Sequence, residues 1–554
     1  MLSVIAIAFV VAVGHLTLYP KVADLDGFYH MGHAAAYAAG SIFDTSFPWA
    51  TQSVIGERGA DLWWGFHMLL TPFTVFDDPA VGIRVAAALL TLVLGSTVFW
   101  LLRRHGVPGA GWWAALFLIA VPNVLFRYLM VRPHVLSLAA ALALLSILVR
   151  GRWWQAALLA ALISWLHVSL FWLAPGVALA YALARSVARL WEPARAEAGP
   201  ATPVEAGEPV AVQHALGGVL LGTLAGWLLR PHPLATAELV SVQLVHLFAV
   251  KLAGQPLSFA TELQPLELAT LASTSWLFLA AWVLGAGATL VAAFAGKLRR
   301  VEREHALLLV TSLLVSGVFL ALALSSARRA MVQWAAFGFV ALPMVWTGVL
   351  TLEHRRAARS FVAILLVVHV AWTLGRHRVN VDLVAFPGDA LADAADFLEA
   401  NSEPGEVVFH ARWDNFGPLL AHNRTNVYLS GMDPIFHFAH DPRRYWEYFY
   451  LSADINAEWT CDAFPCAAGI ATDSHEVIRE HFGARWVLVE PRRNPRLSLH
   501  LLNDPRFRLA LETQHEAVFE VMEKDGAPEQ GPAGEDAVGP AAPDAVGPAG
   551  AGPE

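Results

Sequence analysis

The chain has 554 residues, of which 56% are hydrophobic and only 15% carry a charge, and its formal net charge is -9. Because soluble domains carry about 25% charged residues, this composition excludes an ordinary soluble protein and indicates a membrane protein with many spans. The acidic residues crowd the C-terminal third. The sequence contains no basic run or alternation of basic and aromatic residues that would indicate nucleic-acid binding.

Apolar segments long enough to cross about 30 Å of hydrocarbon recur along residues 1–376 and predict about eleven transmembrane helices. The first, Met1 to Tyr19, lacks the positive start and the cleavage site of a signal peptide, so we interpret it as a retained span. The other predicted spans are Pro79–Leu102, Ala110–Leu129, Val135–Leu148, Trp153–Trp165, Val168–Ala184, Val212–Leu229, Leu268–Ala295, Ala306–Leu324, Ala330–Leu352 and Phe361–Leu374. The apolar spacing in Ala237 to Leu252 instead predicts a helix lying in the membrane interface.

Arginine and lysine residues collect in alternate connections between these spans, as at Arg103 and Arg104. Because such residues favour the cytoplasmic side, the pattern predicts a cytoplasmic N-terminus and, with an odd number of spans, an extracytoplasmic C-terminus. The protein is therefore predicted to lie in a plasma or inner membrane. The linker Glu192 to Val210, rich in Ala, Pro, Gly and Glu, is expected to be a flexible cytoplasmic loop.

The stretch from Asp24 to His33 directly follows the first span. Charged side chains are costly at such a point unless they have a role. If a helix begins near Asp26, then Asp26, His30 and His33 lie on one of its faces. That face could hold a metal ion, orient a phosphate or accept a proton. The alternative is structural, with Asp24 or Asp26 capping the first turn of the helix.

Further polar side chains collect on the predicted outer side, against the usual distribution of charge. They are Arg127, Arg132, His134, His167, Asp61, Trp63, Trp64, His67, Arg328 and Arg329. Singly, such residues anchor helix ends at the membrane surface, but together they indicate a site for an anionic substrate. Glu262 adds a carboxylate in the outer connection from Arg230 to Glu267. Its alternative role is to cap the next span at its N-terminus.

From residue 383 the pattern changes to that of a soluble α/β domain, which we expect to cover residues 383–523 outside the membrane. Strands are predicted at Val407–Phe409, Asn426–Leu429, Trp486–Val489 and Ala517–Val521, and helices at Asp389–Ala400 and Ser474–Phe482. Cys461 and Cys466, five residues apart, are expected to form a local disulfide in this compartment. Residues 524–554, rich in Pro, Gly, Ala and acidic residues, are expected to be a disordered tail.

Three short motifs resemble those of the oligosaccharyltransferase catalytic subunit and its prokaryotic relatives, which are membrane glycosyltransferases of the GT-C fold. Asp24-Leu25-Asp26, followed by Phe28-Tyr29-His30, is similar to the first acidic motif of that family. Ser258 to Pro265 resembles its outer-loop motif, with Glu262 and Gln264-Pro265 in matching order. Trp413-Asp414-Asn415-Phe416-Gly417 resembles the Trp-Trp-Asp-Tyr-Gly that opens the family's soluble domain.

The chain departs from that family at its second acidic motif, near which Arg132-Pro133-His134 stands instead. A looser resemblance, to lipid-phosphate-sugar transferases of the protein mannosyltransferase and aminoarabinose transferase kind, therefore stays open. Two other classes of protein are a secondary transporter and a non-catalytic scaffold. A transporter would show repeated halves, which the sequence lacks, and a scaffold would leave the clustered Asp, His and Arg residues unexplained.

The resemblance implies a polytopic α-helical, GT-C-like catalytic domain over residues 1–376. It would move a sugar or oligosaccharide from a polyprenyl-phosphate or -pyrophosphate donor to a protein, lipid or glycan acceptor on the outer face of the membrane. Asp24, Asp26 and Glu262 would be catalytic, and Asp24 and Asp26 would hold a divalent cation, Mg or Mn, if one is used. The substrate-binding residues would be His30, His33, Arg132, His134, His167, Arg328, Arg329, Trp413 and Asp414.

Overall fold

The computed structural model describes residues 2–189, 209–350, 352–467 and 469–523. The chain divides into two compact units, each built from several separate segments. The helical unit comprises Met1–Phe43, Leu62–Leu234 and Thr261–Gly388, and the α/β unit comprises Asp44–Asp61, Ala235–Ala260 and Asp389–Glu554. Most of the expected flexible linker and the whole of the expected tail lie outside the described residues.

The α-helices are numbered here in chain order. They are α1 (Leu2–Leu18), α2 (Asp26–Ala39), α3 (Val54–Arg58), α4 (Trp64–Leu70), α5 (Pro79–Arg104), α6 (Ala110–Leu118), α7 (Pro122–Tyr128), α8 (Pro133–Val149), α9 (Trp153–Leu166), α10 (Leu173–Arg189), α11 (Val212–Leu228), α12 (Pro233–Ser241), α13 (Leu247–Leu252), α14 (Leu268–Phe294), α15 (Arg303–Ser325), α16 (Met331–Met344), α17 (Leu352–Val384), α18 (Ala392–Asn401), α19 (Phe416–His422), α20 (Pro434–His440), α21 (Pro442–Ser452), α22 (Ser474–Glu476) and α23 (Pro495–Asn503). Short 3-10 turns occur at Thr71–Val75, Val168–Leu170, Thr261–Leu263, Lys297–Arg300, Arg328–Ala330 and Trp413–Asn415, and π-helical turns at Val242–His246, Val345–Val349 and Val477–His481.

Several helices are long and apolar enough to cross a membrane, which makes the chain a polytopic integral membrane protein. Within the described residues there are six, namely Pro79–Arg104, Val168–Val187, Pro233–Leu252, Leu268–Phe294, Arg303–Ser325 and Arg328–Val349. A bent pair of helices, α6 and α7, raises that number to seven if it forms one span. Four shorter apolar helices are Val4–Leu18, Pro133–Val149, Trp153–Leu166 and Val212–Leu228. The sequence predicted about eleven spans, and that number stays a prediction.

Two of the predicted segments have features in the structure that the sequence did not show. The span predicted over Ala110–Leu129 is not one straight helix, because α6 and α7 meet at an angle of 91°. Pro122 begins α7, and a proline lacks the N–H that a continuous helix would need there. The segment Ala237–Leu252, expected in the membrane interface, is part of the stretch Pro233–Leu252, which is long and apolar enough to span, so its place in the interface stays a prediction. Its residues from Ala235 group with the α/β unit, where His246 and Phe438 of α20 are in ring contact at 6.0 Å.

The centre of the helical unit is occupied by α8, whose side chains are buried almost all round. A helix that is apolar on every face belongs in such an interior position. Nearby, α9 and α11 approach very closely, since a Cβ placed on Gly222 would lie 2.0 Å from the carbonyl oxygen of Ala157. Small residues allow this approach between membrane helices.

The α/β unit contains a mixed sheet of five strands in the order β2-β1-β5-β7-β6. The strands are β1 (Val407–His410), β2 (Val427–Tyr428), β3 (Trp459–Thr460), β4 (Thr472–Asp473), β5 (Ala484–Val489), β6 (Phe507–Glu512) and β7 (Ala517–Val521). Strand β1 pairs in parallel with β2 and β5, whereas β7 is antiparallel to β5 and β6. The expected α/β architecture is therefore present. The expected Cys461–Cys466 disulfide is also present, with the two Cα atoms 5.7 Å apart.

Candidate functional site

Asp24 lies in the short connection between α1 and α2, and Asp26 is the first residue of α2. Helix α2 begins at Asp26, and its N-cap residue is Leu25, which makes no side-chain capping hydrogen bond. The alternative in which Asp24 or Asp26 caps this helix is therefore wrong. Instead, Asp26 Oδ2 lies 2.9 Å from Arg132 Nη2, and Asp24 accepts a hydrogen bond from Arg132 Nε.

Arg132 is held in place by the start of α8. It occupies the N-cap position with an extended backbone, φ -136° and ψ 147°, and Pro133 follows it as the first helical residue. A residue before proline is restricted to such extended conformations, so the sequence itself favours this geometry. The backbone thus directs the Arg132 side chain away from the body of α8 and toward Asp24 and Asp26.

Glu262 completes the group from the 3-10 turn Thr261–Leu263. Its Oε1 lies 3.0 Å from Arg132 Nη1, and its Oε2 lies 2.7 Å from Arg127 Nη1. The N-cap of the following helix α14 is Glu267, so the capping role considered for Glu262 is wrong. We refer to these five residues, Asp24, Asp26, Arg127, Arg132 and Glu262, as the carboxylate–arginine cluster.

The carboxylates of the cluster differ in their affinity for protons. Only 8% of the Asp24 side chain is exposed, and this burial raises the pKa of Asp24 despite the nearby Arg132 charge. Burial would also raise the pKa of Glu262, but Arg132 and Arg127 outweigh it and hold that pKa well below its ordinary value. Asp24 is therefore the better proton acceptor, and Glu262 stays a carboxylate that holds two arginines.

Positively charged and unpaired nitrogen groups surround the cluster. Arg329 acts electrostatically on both Glu262 and His167. The backbone N–H of Arg328 donates to Gln264 O at 2.7 Å, which ties the Arg328–Ala330 turn to the loop that carries Glu262. The buried nitrogens that find no hydrogen-bond partner within the described residues include Arg127 Nε, His134 Nε2, His167 Nδ1 and Arg328 Nε. Such groups are expected to bind a ligand or water, and an anion suits them best.

His30 and His33 are placed in a neighbouring aromatic group on α2 and α4. His30 Nδ1 lies 2.8 Å from His67 Nε2, and the rings of His33 and His67 stack at 4.3 Å between centroids. Tyr29 joins them, with its hydroxyl 3.2 Å from His33 Nδ1. The sequence places His67 on the outer side but does not assign it to the site. The substrate-binding roles of His30 and His33 stay predictions.

Trp413 and Asp414 belong to the α/β unit. Asp414 forms ion pairs within that unit, with Arg412 at 3.1 Å and with Arg493 at 3.5 Å. Trp413 lines a small cavity together with His437 and Tyr445. Arg412, which directly precedes Trp413, thus orients Asp414. The role of both residues in substrate binding stays a prediction.

Comparison with solved structures shows which fold this architecture shares. The fold is similar to that of the apo oligosaccharyltransferase of Archaeoglobus fulgidus, with a TM-score of 0.51 and 12% identity over 88% of this chain and 69% of that one. It is also similar to ArnT of Cupriavidus metallidurans bound to undecaprenyl phosphate, with a TM-score of 0.50 and 14% identity over 95% of this chain and 99% of that one. The chain therefore has a GT-C-like fold, as the motif resemblance implied. No family model and no curated protein matches the sequence.

The cluster can be tested against the divalent cation that the resemblance implied. Such a cation needs several oxygen ligands converging on one point. Here Asp24, Asp26 and Glu262 do converge, but on the nitrogens of Arg132. A metal ion in the same place would meet a fixed positive charge instead of free oxygens. The residues as arranged do not fit a metal ion.

Proposed function

We propose that this protein is an integral-membrane glycosyltransferase that moves a sugar or oligosaccharide from a polyprenyl-phosphate or -pyrophosphate donor to an acceptor outside the membrane. The observation that carries this proposal is the carboxylate–arginine cluster, in which a buried proton acceptor adjoins several cations and unpaired nitrogens. Transfer from a lipid phosphate needs both kinds of group. The similarity to ArnT, which was solved with undecaprenyl phosphate, supports a polyprenyl donor.

The reaction is a displacement at the anomeric carbon of the donor sugar. A lone pair on an acceptor oxygen or nitrogen forms the new bond to that carbon. The bond from the carbon to the phosphate oxygen breaks at the same time, and its electron pair leaves with the phosphate. The proton lost by the acceptor passes to a carboxylate, for which Asp24 is the first candidate, since its pKa is raised by burial. Asp26 lies beside it on Arg132 and is the alternative base.

The departing phosphate gains negative charge, which arginines are suited to stabilise. Arg328 and Arg329 stand at the turn before α16, next to the Glu262 loop. Arg127 has one nitrogen on Glu262 and an unpaired Nε. We assign these three arginines to the phosphate, with His134 and His167 as further donors. Glu262 then serves to orient Arg127 and Arg132.

A lipid-phosphate-sugar transferase that modifies a lipid or glycan is the second form of the proposal, and one observation favours this class over the oligosaccharyltransferases. The similarity to ArnT extends over 99% of that chain, whereas the oligosaccharyltransferase is matched over 69% of its length. The motif comparison agrees, because Arg132-Pro133-His134 replaces the second acidic motif of the oligosaccharyltransferases. Both observations favour the lipid-phosphate-sugar transferases as the nearer class, and the acceptor is left to the experiment below.

Mass spectrometry of a deletion strain tests both forms. Glycoproteins, surface glycans and lipids from the strain should be compared with those of the parent. We expect one class to lose a sugar mass, and the wild-type gene but not the Asp24→Asn variant should restore it. Unchanged masses in all three classes, together with no transfer by the purified protein, would contradict the proposal.

A further inference from the structure

We propose that Arg132 takes the place of a divalent cation in this site, so that sugar transfer proceeds without a metal ion. This inference rests on the proposed function, because it concerns how the same site balances its charge. It departs from the arrangement in which Asp24 and Asp26 hold a divalent cation, which the motif resemblance left open. Three properties of Arg132 support it: the geometry of its guanidinium, the way the chain fixes it, and its permanent charge.

The guanidinium of Arg132 contacts a different carboxylate through each of its three nitrogens, with Nε on Asp24, Nη2 on Asp26 and Nη1 on Glu262. The contacts to Asp26 and Glu262 measure 2.9 Å and 3.0 Å. This is the pattern by which a metal ion would gather three carboxylates. Because arginine is planar and carries its donors in a rigid fork, it can hold all three in one plane.

The chain holds Arg132 in this position by two independent means. Pro133 restricts its backbone, and the buried helix α8 begins directly after it. Glu262 is itself held from a second side, because Arg127 Nη1 lies 2.7 Å from Glu262 Oε2 while Glu262 Oε1 contacts Arg132. Only 17% of the Arg132 side chain is exposed. To admit a metal ion, the protein would have to expel a charged side chain from among three carboxylates.

The charge that results is permanent. An arginine stays protonated throughout the accessible pH range, and it cannot be removed by a chelator. The pKa of Arg132 is in fact raised further, since Asp26, Glu262 and Asp24 outweigh its burial. Arg132 therefore neutralises the carboxylates in every turnover. Stabilisation of the leaving phosphate is left to Arg127, Arg328 and Arg329 rather than to a Lewis acid.

Binding of Mn²⁺ to the purified full-length protein in nanodiscs tests this without any transfer assay. Electron paramagnetic resonance should detect no Mn²⁺ bound to the wild type at a site that depends on Asp24. Arg132→Gln frees three carboxylates, so it should gain one Mn²⁺ site, and Mn²⁺ should raise its melting temperature. Arg127→Gln is the matched control, because it removes an arginine of the cluster and leaves Arg132 in place. It should gain no site.

Two results would overturn the proposal. One is Mn²⁺ binding by the wild type that Asp24→Asn or Asp26→Asn abolishes, a measurement that needs no Arg132 variant and so stands if that variant does not fold. The other is a folded Arg132→Gln protein that gains no Mn²⁺ site. Failure of the proposed function is seen separately, as absence of transfer under all conditions. Where transfer is measured, the wild-type rate should be unchanged in EDTA.

Discussion

At the scale of single residues, the cluster sets three carboxylates against two arginines, with Arg329 acting on Glu262 from nearby. Buried charges of this kind are stable only when each is paired. Removing one member therefore lowers stability by more than the loss of its hydrogen bonds, because it leaves the remaining charges buried without a partner. The arrangement also gives the acids different roles. The pKa of Asp24 is raised, which suits a proton acceptor, whereas the pKa of Glu262 is lowered, which keeps it ionised.

The pH dependence of transfer should report Asp24. Its ordinary pKa is 3.8, and burial raises it. The ionised, proton-accepting form is lost as the pH falls through the raised value, so the acid limb of the transfer rate should have its midpoint above pH 3.8. Arg127 lowers the pKa of Asp24, so Arg127→Gln should move that limb to higher pH. Single-turnover rates measured against pH check this.

The matched control for that profile is Asp382→Asn, because the Asp382 side chain is exposed and pairs only with Arg378 among the contacts described. Its profile should equal that of the wild type. An acid limb at or below pH 3.8 in the wild type, or an Arg127→Gln profile that does not move, would exclude Asp24 as the base.

Much of the cluster could be predicted from the sequence at this scale. Asp24, Asp26, Glu262 and Arg132 were all named, because charged residues at the ends of apolar spans are costly and therefore conspicuous. Their pairing could not be predicted, since it depends on three distant segments meeting. Arg127 was identified only as an outer residue. The sequence offered little reason to place Arg127 in the site, because an arginine at a helix end usually extends its charged group to the membrane surface.

At the scale of elements, the contact between α9 and α11 should limit the stability of the helical unit. A methyl group on Gly222 would press against Ala157, and Gly222→Ala should therefore cost about 1–3 kcal/mol through overpacking. A Cβ placed on Gly217, in the same helix, would have no atom within 4 Å, so Gly217→Ala should be neutral or gain up to about 1 kcal/mol. Thermal unfolding of the two purified variants compares them. Equal melting temperatures would refute the close contact.

The elements themselves were predicted unevenly. The strands β1, β2, β5 and β7 coincide with predicted segments, because each is a short apolar run bounded by turn residues. Strand β6 was missed, since its sequence Phe-Arg-Leu-Ala-Leu-Glu is largely exposed and contains good helix formers. Its pairing with β7 decides its structure. The bend between α6 and α7 was missed because apolar composition does not reveal a bend, although Pro122 was its signal.

At the scale of the whole molecule, the units are not continuous in sequence. The sequence assigned residues 44–61 to the first domain, but the structure groups them with the α/β unit. There Tyr428 pairs with this segment through hydrogen bonds to Trp49 O at 2.8 Å and from Thr51 N at 2.9 Å. Composition shows only where the chain changes from apolar, membrane-type sequence to soluble sequence. It does not show that residues 44–61, inserted between helical segments, join a sheet formed by residues far along the chain.

The orientation in the membrane is a further expectation for the whole chain. The alternating arginines predict that the α/β unit lies outside and that the connection after α5 lies inside. Leu499 is 61% exposed, so Leu499→Cys should react with an impermeant maleimide on intact cells. Arg103→Cys should react only after the membrane is opened. The native cysteines are joined in a disulfide and do not interfere. The reverse labelling pattern would place the α/β unit on the cytoplasmic side and contradict the predicted orientation.

The most direct test of the central claim is transfer by Asp24→Asn and Asp26→Asn, each purified in nanodiscs with a polyprenyl-linked sugar donor. An asparagine keeps the size of the side chain but lacks the charge and basicity that proton transfer needs. We expect both variants to reach the membrane at normal levels and at least one to lose transfer by orders of magnitude, while Asp382→Asn stays near the wild-type rate. Near-normal transfer by both variants would contradict this account and place the catalytic site elsewhere.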